Sequence, residues 1–212
     1  MTQETIAFGG LAAALDALKK DLLADGGPQI STMRNHRFAI LPYDPAEEIK
    51  LRRMISGLAE NLRAAGWNVL PISLEQLLLD RLRRVEPGFV ASLIDREKRL
   101  HGRDPARALA HLHEKIAPHL EGPDGIAADV AQVISAFADQ HPDQSDRAIA
   151  FVGRAGALYP FFRTSALLKH IDGRTRGVPV VLLYPGKRRD VTALSFMGEL
   201  EPVGDYRPRI YP

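Results

Sequence analysis

Val178-Pro179-Val180-Val181-Leu182-Leu183 is the segment that most restricts the fold. It is apolar at every position rather than at alternate ones, and it stops at Tyr184-Pro185-Gly186. A strand with apolar side chains on both faces needs cover on both, as a central strand of a parallel sheet has between two helical layers. A second run of the same kind, Ala148-Ile149-Ala150-Phe151-Val152, breaks into Gly153-Arg154-Ala155-Gly156. Open α/β sheets meet ligands and partners at the carboxyl ends of their strands. These two turns are therefore where function is first sought.

The remaining elements follow from periodicity and punctuation. Leu11, Leu15, Leu18 and Leu22 recur at helical spacing before Gly26-Gly27-Pro28, giving a helix expected to pack on the outside of the main body. His36 to Leu41 reads as a first strand ending before Pro42. In Tyr43-Asp44-Pro45-Ala46-Glu47, Asp44 can cap a helix that starts at Pro45, with Glu47 as the acid of a capping box. Leu51, Ile55, Leu58 and Leu62 form that helix's apolar face, Gly66 ends it, and Trp67 to Ile72 supplies a second strand. A crossover of this length gives parallel pairing. Ser73 and Gln76 form another capping box, and the chain then reads helical to about Gln140. Pro87-Gly88, Gly102 with Asp104-Pro105, and Gly122-Pro123-Asp124-Gly125 punctuate it.

Beyond residue 148 we expect strands over 148–152 and 178–183, a helix from about Pro160, and a further strand over 193–200. The proline-rich stretch 201–212 is expected to lie along the surface. The expected architecture is a single α/β domain over residues 1–212. It has three layers, a mostly parallel sheet, and a helical insertion over 73–140 between strands 2 and 3. A degenerate P-loop-like domain that has lost its phosphate loop is compatible with this order of elements.

Composition narrows the chemistry. There is no cysteine, which excludes disulfides, thiol catalysis and cysteine-based metal or iron–sulfur sites. No apolar run reaches the roughly 20 residues of a membrane span, and Met1-Thr2-Gln3-Glu4-Thr5 lacks the basic start of a secretory signal. The expected location is cytoplasmic, with no membrane partner. The net charge of +2 is uneven: Ser145 to Pro212 holds 11 Lys/Arg against 6 Asp/Glu, and the remainder 17 against 20. A basic carboxyl-terminal portion could meet phosphates or an acidic protein surface, or could be a solvated face.

The sequence holds no recognisable catalytic constellation. Gly153-Arg154-Ala155-Gly156 follows a strand as phosphate loops do, but it lacks the Gly-Lys-Ser/Thr of a Walker loop. Pro185-Gly186-Lys187-Arg188-Arg189 has the Gly-Lys without the hydroxyl. His111, His113 and His119 share one helix, where successive residues turn by roughly 100°, so His111 and His113 diverge from any common ion; they are expected to face solvent. Glu47 and Glu48 do not converge either. Asp44 could serve as a base or metal ligand, although capping accounts for it. Ser195 lacks the nucleophile-elbow glycines. No catalytic residue, cofactor or metal is expected.

Two binding surfaces remain. Tyr43, Tyr159 and Tyr184 lie at or just past strand ends beside prolines and arginines, and tyrosine and arginine dominate interface hot spots. Tyr43, Asp44, Tyr159, Arg163 and Tyr184 are therefore the candidate partner contacts, expected to stand exposed. Arg154, Lys169, Arg174, Arg176, Lys187, Arg188 and Arg189, clustered near the strand ends and the helix between them, are the candidate nucleic-acid contacts.

Three segments carry a family resemblance. Tyr43-Asp44-Pro45-Ala46-Glu47-Glu48 resembles a Tyr-Asp-Pro motif with trailing acids. Gly153-Arg154-Ala155-Gly156-Ala157-Leu158-Tyr159-Pro160-Phe161-Phe162-Arg163 resembles a Gly-x-Gly-x-x-Tyr-Pro-Phe-x-Arg block, shifted by one residue around the glycines. Val178-Pro179-Val180-Val181-Leu182-Leu183-Tyr184-Pro185-Gly186 resembles a Pro-Val-Val-x-x-Tyr-Pro-Gly strand. All three are similar to the BrxB component of BREX bacteriophage-exclusion systems. The turn Lys187-Arg188-Arg189-Asp190, and Asp205-Tyr206-Arg207 near the end, depart from that pattern. The resemblance implies a non-enzymatic accessory or scaffold subunit. Its expected partners are other BREX proteins: the PglZ-like protein first, then the ATPase and methyltransferase. The alternative is a DNA-binding subunit of the same complex.

Overall fold

The computed structural model describes residues 10–24, 29–30, 37–142, 144–162, 164–188, 193–198 and 208–211. Arg163, Arg189, the Gly26-Gly27-Pro28 stop and residues 201–207 lie outside the described residues. The elements are α1 (Leu11–Leu22), β1 (Phe38–Tyr43), α2 (Glu48–Ala64), β2 (Asn68–Ser73), α3 (Leu74–Arg83), α4 (Phe89–His101), α5 (Pro105–Leu120), α6 (Ile126–Gln140), β3 (Ala148–Gly153), α7 (Thr164–Ile171), β4 (Val180–Arg188), β5 (Leu194–Phe196) and β6 (Arg209–Ile210).

The sheet runs β2-β3-β4-β1-β6, and all four pairings along that path are parallel. The segment with the strongest apolar run, β4, lies between β3 and β1, as expected of a strand apolar on both faces. Among the described strands only β5 is antiparallel, folding back on the end of β4 with Gly186 opposite Phe196. A side chain on Gly186 would run into the Ser195 carbonyl oxygen, so glycine is needed for this close approach.

Alternate strand residues feed two separate cores. Ala39, Leu41 and Tyr43 of β1, with Val181 and Leu183 of β4, pack against α1 and α2. Phe38 and Ile40, with Val180, Leu182 and Tyr184, pack against α3, α6 and α7. The result is three layers, helix–sheet–helix, with each side-chain row facing its own helical layer. The first helix packs on the outside of the sheet, as expected, within one helical layer: Leu11, Leu15, Leu18 and Leu22 are all buried.

The helical insertion is the crossover from β2 to β3. Arg81 of α3 ties it to α6, with Nε 2.6 Å from Asp129 Oδ2 and Nη2 donating to the Gly125 carbonyl at 2.9 Å. The middle pair, α4 and α5, forms a hairpin that is less embedded. Leu93 is the buried residue of α4, and neither it nor Ala108 of α5 belongs to either main core.

Several boundaries differ from the sequence reading. β1 does not stop before Pro42 but continues to Tyr43. Ile40 accepts from the Tyr211 amide on the β6 side, and Pro42, two residues on, faces that same side past the Arg209–Ile210 pairing. The amide that proline lacks would face the short edge strand β6, past its Arg209–Ile210 ladder, and not the central strand β4, so the loss is tolerated there. Asp44 caps a short 3-10 turn, Pro45–Glu47, by accepting from the Ala46 amide at 3.0 Å, and α2 begins only at Glu48. Glu47 pairs with Lys50 and does not complete a capping box. The helix expected from Pro160 starts at Thr164, and the 193–200 strand is described only over Leu194–Phe196. Part of the tail expected on the surface is instead β6, an edge strand on β1, and Tyr211 after it is buried.

Candidate functional site

The carboxyl ends of the central strands are joined by one charged cluster. At the end of β3, Arg154 adopts a left-handed conformation, φ 64° and ψ 25°. Residues with a Cβ seldom hold that backbone, and where they do, the surroundings impose it. Its guanidinium lies 2.6–2.8 Å from Glu75 Oε2 and 3.3 Å from Glu48 Oε1. Glu75 stands in the first turn of α3, which Ser73 Oγ caps by accepting from the Gln76 amide. Glu48 opens α2.

Because α2 and α3 cover opposite faces of the sheet, Arg154 clasps the two outer layers across the sheet edge. The side chains of Arg154 and Glu48 are 32% and 23% exposed, so this pair is less screened than a surface ion pair. The bond to Glu75, followed by that to Glu48, raises the guanidinium further above its already basic value.

Tyr43 extends the cluster inward. Its hydroxyl donates to Glu48 Oε2. Burial, then that bond, pushes the phenol well above its ordinary value and keeps it protonated. On the rim, Lys187 Nζ is 3.5 Å from Asp44 Oδ2. The Ala46 amide first, with Lys187 assisting, holds the Asp44 carboxyl below the usual range. Glycines allow close packing here: a Cβ on Gly153 would meet Leu183 Cδ1 at 3.3 Å, and one on Gly156 would meet Met197 Sδ at 3.3 Å.

The candidate partner residues divide. Tyr43 and Tyr184 are only 4% and 1% exposed, which corrects the expectation that they stand exposed. The extra strand residue at position 43 turns Tyr43 onto the α2 face. Tyr184 continues the inward row of β4 and meets Phe196 edge-on at 5.6 Å. Tyr159 is half-buried, its ring 6.3 Å from that of Phe196. Asp44 lies on the rim.

The candidate nucleic-acid residues do not form one patch. α7 runs back against the strand direction and carries Lys169, Arg174 and Arg176 toward the amino edge, while Arg154 and Lys187 stay at the carboxyl edge. Arg176 pairs with Asp139 beside a cavity of about 320 Å³, where Phe137, His141, Ala148 and Val178 are among the lining residues. Arg174 donates to the Pro123 carbonyl at 3.3 Å. Lys169 is exposed and Arg188 half-buried at the end of β4.

The helix histidines are not all free in water either: His119 meets Phe89 edge-on and His113 lies 6.0 Å from the Phe161 ring. Burial lowers the His119 pKa. Among the described residues no group of three His, Asp or Glu is placed to hold a metal ion. No helix among them is long and apolar enough to cross a membrane. Sequence reasoning missed Glu75 as a site residue. Its one local signal was an acid just after a Ser cap, and its partner stands 79 residues away.

The fold and this edge define a three-layer α/β protein whose β1–α2 connection, the place of a phosphate loop in a strand–loop–helix unit, carries Asp44, Pro45 and an acid on Arg154 in place of glycines. The family model described as BREX protein BrxB matches residues 70–210, about two thirds of the chain. The chain belongs to the BrxB family and is therefore a component of a BREX phage-defence system. The match spans the Gly153–Phe162 and Val180–Gly186 blocks, and the Tyr43–Glu48 motif precedes it. No curated protein and no solved structure matches the chain.

Proposed function

We infer that this chain is a non-catalytic scaffold subunit of a BREX assembly in the cytoplasm, holding the PglZ-like protein against the carboxyl edge of its sheet. The observation that carries this reading is the clasp itself. Where an open α/β sheet would cradle a small ligand, Arg154 joins Glu48 and Glu75 directly, and two carboxylates at that point disfavour a phosphate. The rim adds apolar surface suited to a protein. Ile49, beside Glu48 in the first turn of α2, is 66% exposed. Pro160 is also exposed and Tyr159 half-exposed. Large apolar and tyrosine side chains of this kind anchor interfaces.

The test is a pull-down of tagged protein from cells carrying the neighbouring BREX genes, washed at moderate and high salt. The PglZ-like protein is expected to survive both washes. Ile49→Asp with Tyr159→Ala should remove it and abolish phage protection while the variant stays folded. Undiminished recovery with that pair would refute the surface. Tyr43 and Tyr184 variants test folding instead, since both side chains are buried. The alternative, DNA contact through the basic carboxyl-terminal portion, loses support from the ion pairs that already engage Arg154, Arg176 and Lys187.

A further inference from the structure

The distal end of the α4–α5 hairpin carries Arg96, Lys98, Arg99, Arg103 and Arg107 within residues 95–107, against three acids, a local charge of +2. All five cations are exposed. Among the described residues none of them is in an ion pair. Of the three acids, Asp104 caps α5 by accepting from the Arg107 amide at 3.0 Å, and Glu97 is half-buried, with Oε2 shielded from solvent.

Helix energetics accounts for only part of this cluster. Lys98 and Arg99 fill the last turn of α4, where cations complement the helix dipole. Arg103 and Arg107 have no such reason to be there. Arg107 stands in the first turn of α5, which contains no acid, where a cation is disfavoured.

We propose that this hairpin end binds the phosphate backbone of duplex nucleic acid without reading its sequence. Four of the five cations are arginine, whose planar fork matches phosphate oxygens in pairs. Residues 95–107 hold no Phe, Tyr or Trp, and His101 is their one aromatic ring. They therefore offer neither the stacking platform that single strands use nor the Tyr or Trp anchor of a protein hot spot. This contact is separate from the carboxyl edge and stands or falls independently of the scaffold reading.

The experiment follows fluorescence anisotropy of a short labelled duplex of scrambled sequence titrated with the full chain. Three to five phosphate contacts predict an affinity falling roughly 40- to 500-fold between about 50 and 200 mM salt. Arg103→Glu with Arg107→Glu should weaken binding about tenfold or more at low salt, with the circular dichroism spectrum unchanged. Lys169→Glu, an exposed cation at the end of α7, should leave it unchanged. If the reversal variant loses its fold, Arg103→Gln with Arg107→Gln replaces it and should also weaken binding. No duplex binding at low salt, or equal binding by the hairpin variants, overturns the proposal. So does capture of poly-glutamate in place of duplex, which would reassign the patch to an acidic protein surface.

Discussion

At the carboxyl edge of the sheet one arginine is held by carboxylates from helices on opposite faces. At the far end of the α4–α5 hairpin, arginines of the same charge face water with no acid in ion-pair range among the described residues. The two regions differ in what their charge is for. The clasp uses its charge within the fold, replacing hydration of three groups by their mutual contact. The hairpin leaves its charge available to something outside. A count of basic residues cannot separate these cases, because it does not see which acids come back from elsewhere in the chain.

The comparison would break if edge residues proved as dispensable to folding as hairpin residues. The largest contrast is expected from Tyr184→Ala, which empties a buried site on the central strand; urea unfolding should register a loss of about 3–5 kcal/mol. Arg154→Ala leaves Glu48 and Glu75 facing each other and should cost about 2–3 kcal/mol, less than a fully buried pair because the guanidinium is partly exposed. Arg154→Gly separates two contributions. It loses the same ion pairs but relieves the left-handed backbone, so it should be about 1 kcal/mol more stable than Arg154→Ala.

A smaller effect is expected from Tyr43→Phe, about 1–2 kcal/mol at neutral pH, and it alters the pH profile. The Tyr43 phenol is raised in the folded state, so its stabilisation is complete below an unfolded value near 10 and is lost as pH rises above it. Urea midpoints should therefore fall above pH about 10 in the wild type and fall less steeply in Tyr43→Phe. Some slope should remain, because Tyr211, also raised and bound to Asp21, still titrates. The smallest change is expected from Arg103→Ala or Arg107→Ala, each within about 0.5 kcal/mol of wild type. A larger loss there would mean that the hairpin charge serves the fold after all.

Much of the frame was legible from sequence because it depends on local patterns. The uniform apolarity of 178–183 located the central strand, and Gly66 ended α2 as expected, with φ at +81° and the Trp67 amide returning to the Leu62 carbonyl. The edge was harder to read. Pro42 looked like a stop because proline removes a ladder donor, but the consequence depended on β6 ending short of it, set by residues nearly 170 positions later. That one misplaced boundary turned Tyr43 from a buried donor to Glu48 into an expected exposed contact. Arg154 looked like a phosphate ligand for a similar reason: its acids come from positions 48 and 75, and only the three-dimensional packing of α2 and α3 brings them to it.

The parallel pairing of β1 with β4 also governs how the chain can be made. Phe38 pairs with Val180, so β1 leaves the ribosome 142 residues ahead of its partner, about 7–30 s at ordinary rates of translation. During that interval Ala39, Ile40 and Leu41, which show almost no exposed surface in the finished fold, have no sheet to join. Long-range parallel pairing folds slowly for the same reason. β1, an inner strand of the finished sheet, is therefore a long-standing liability of the nascent chain, and a stretch for which a chaperone has time to compete.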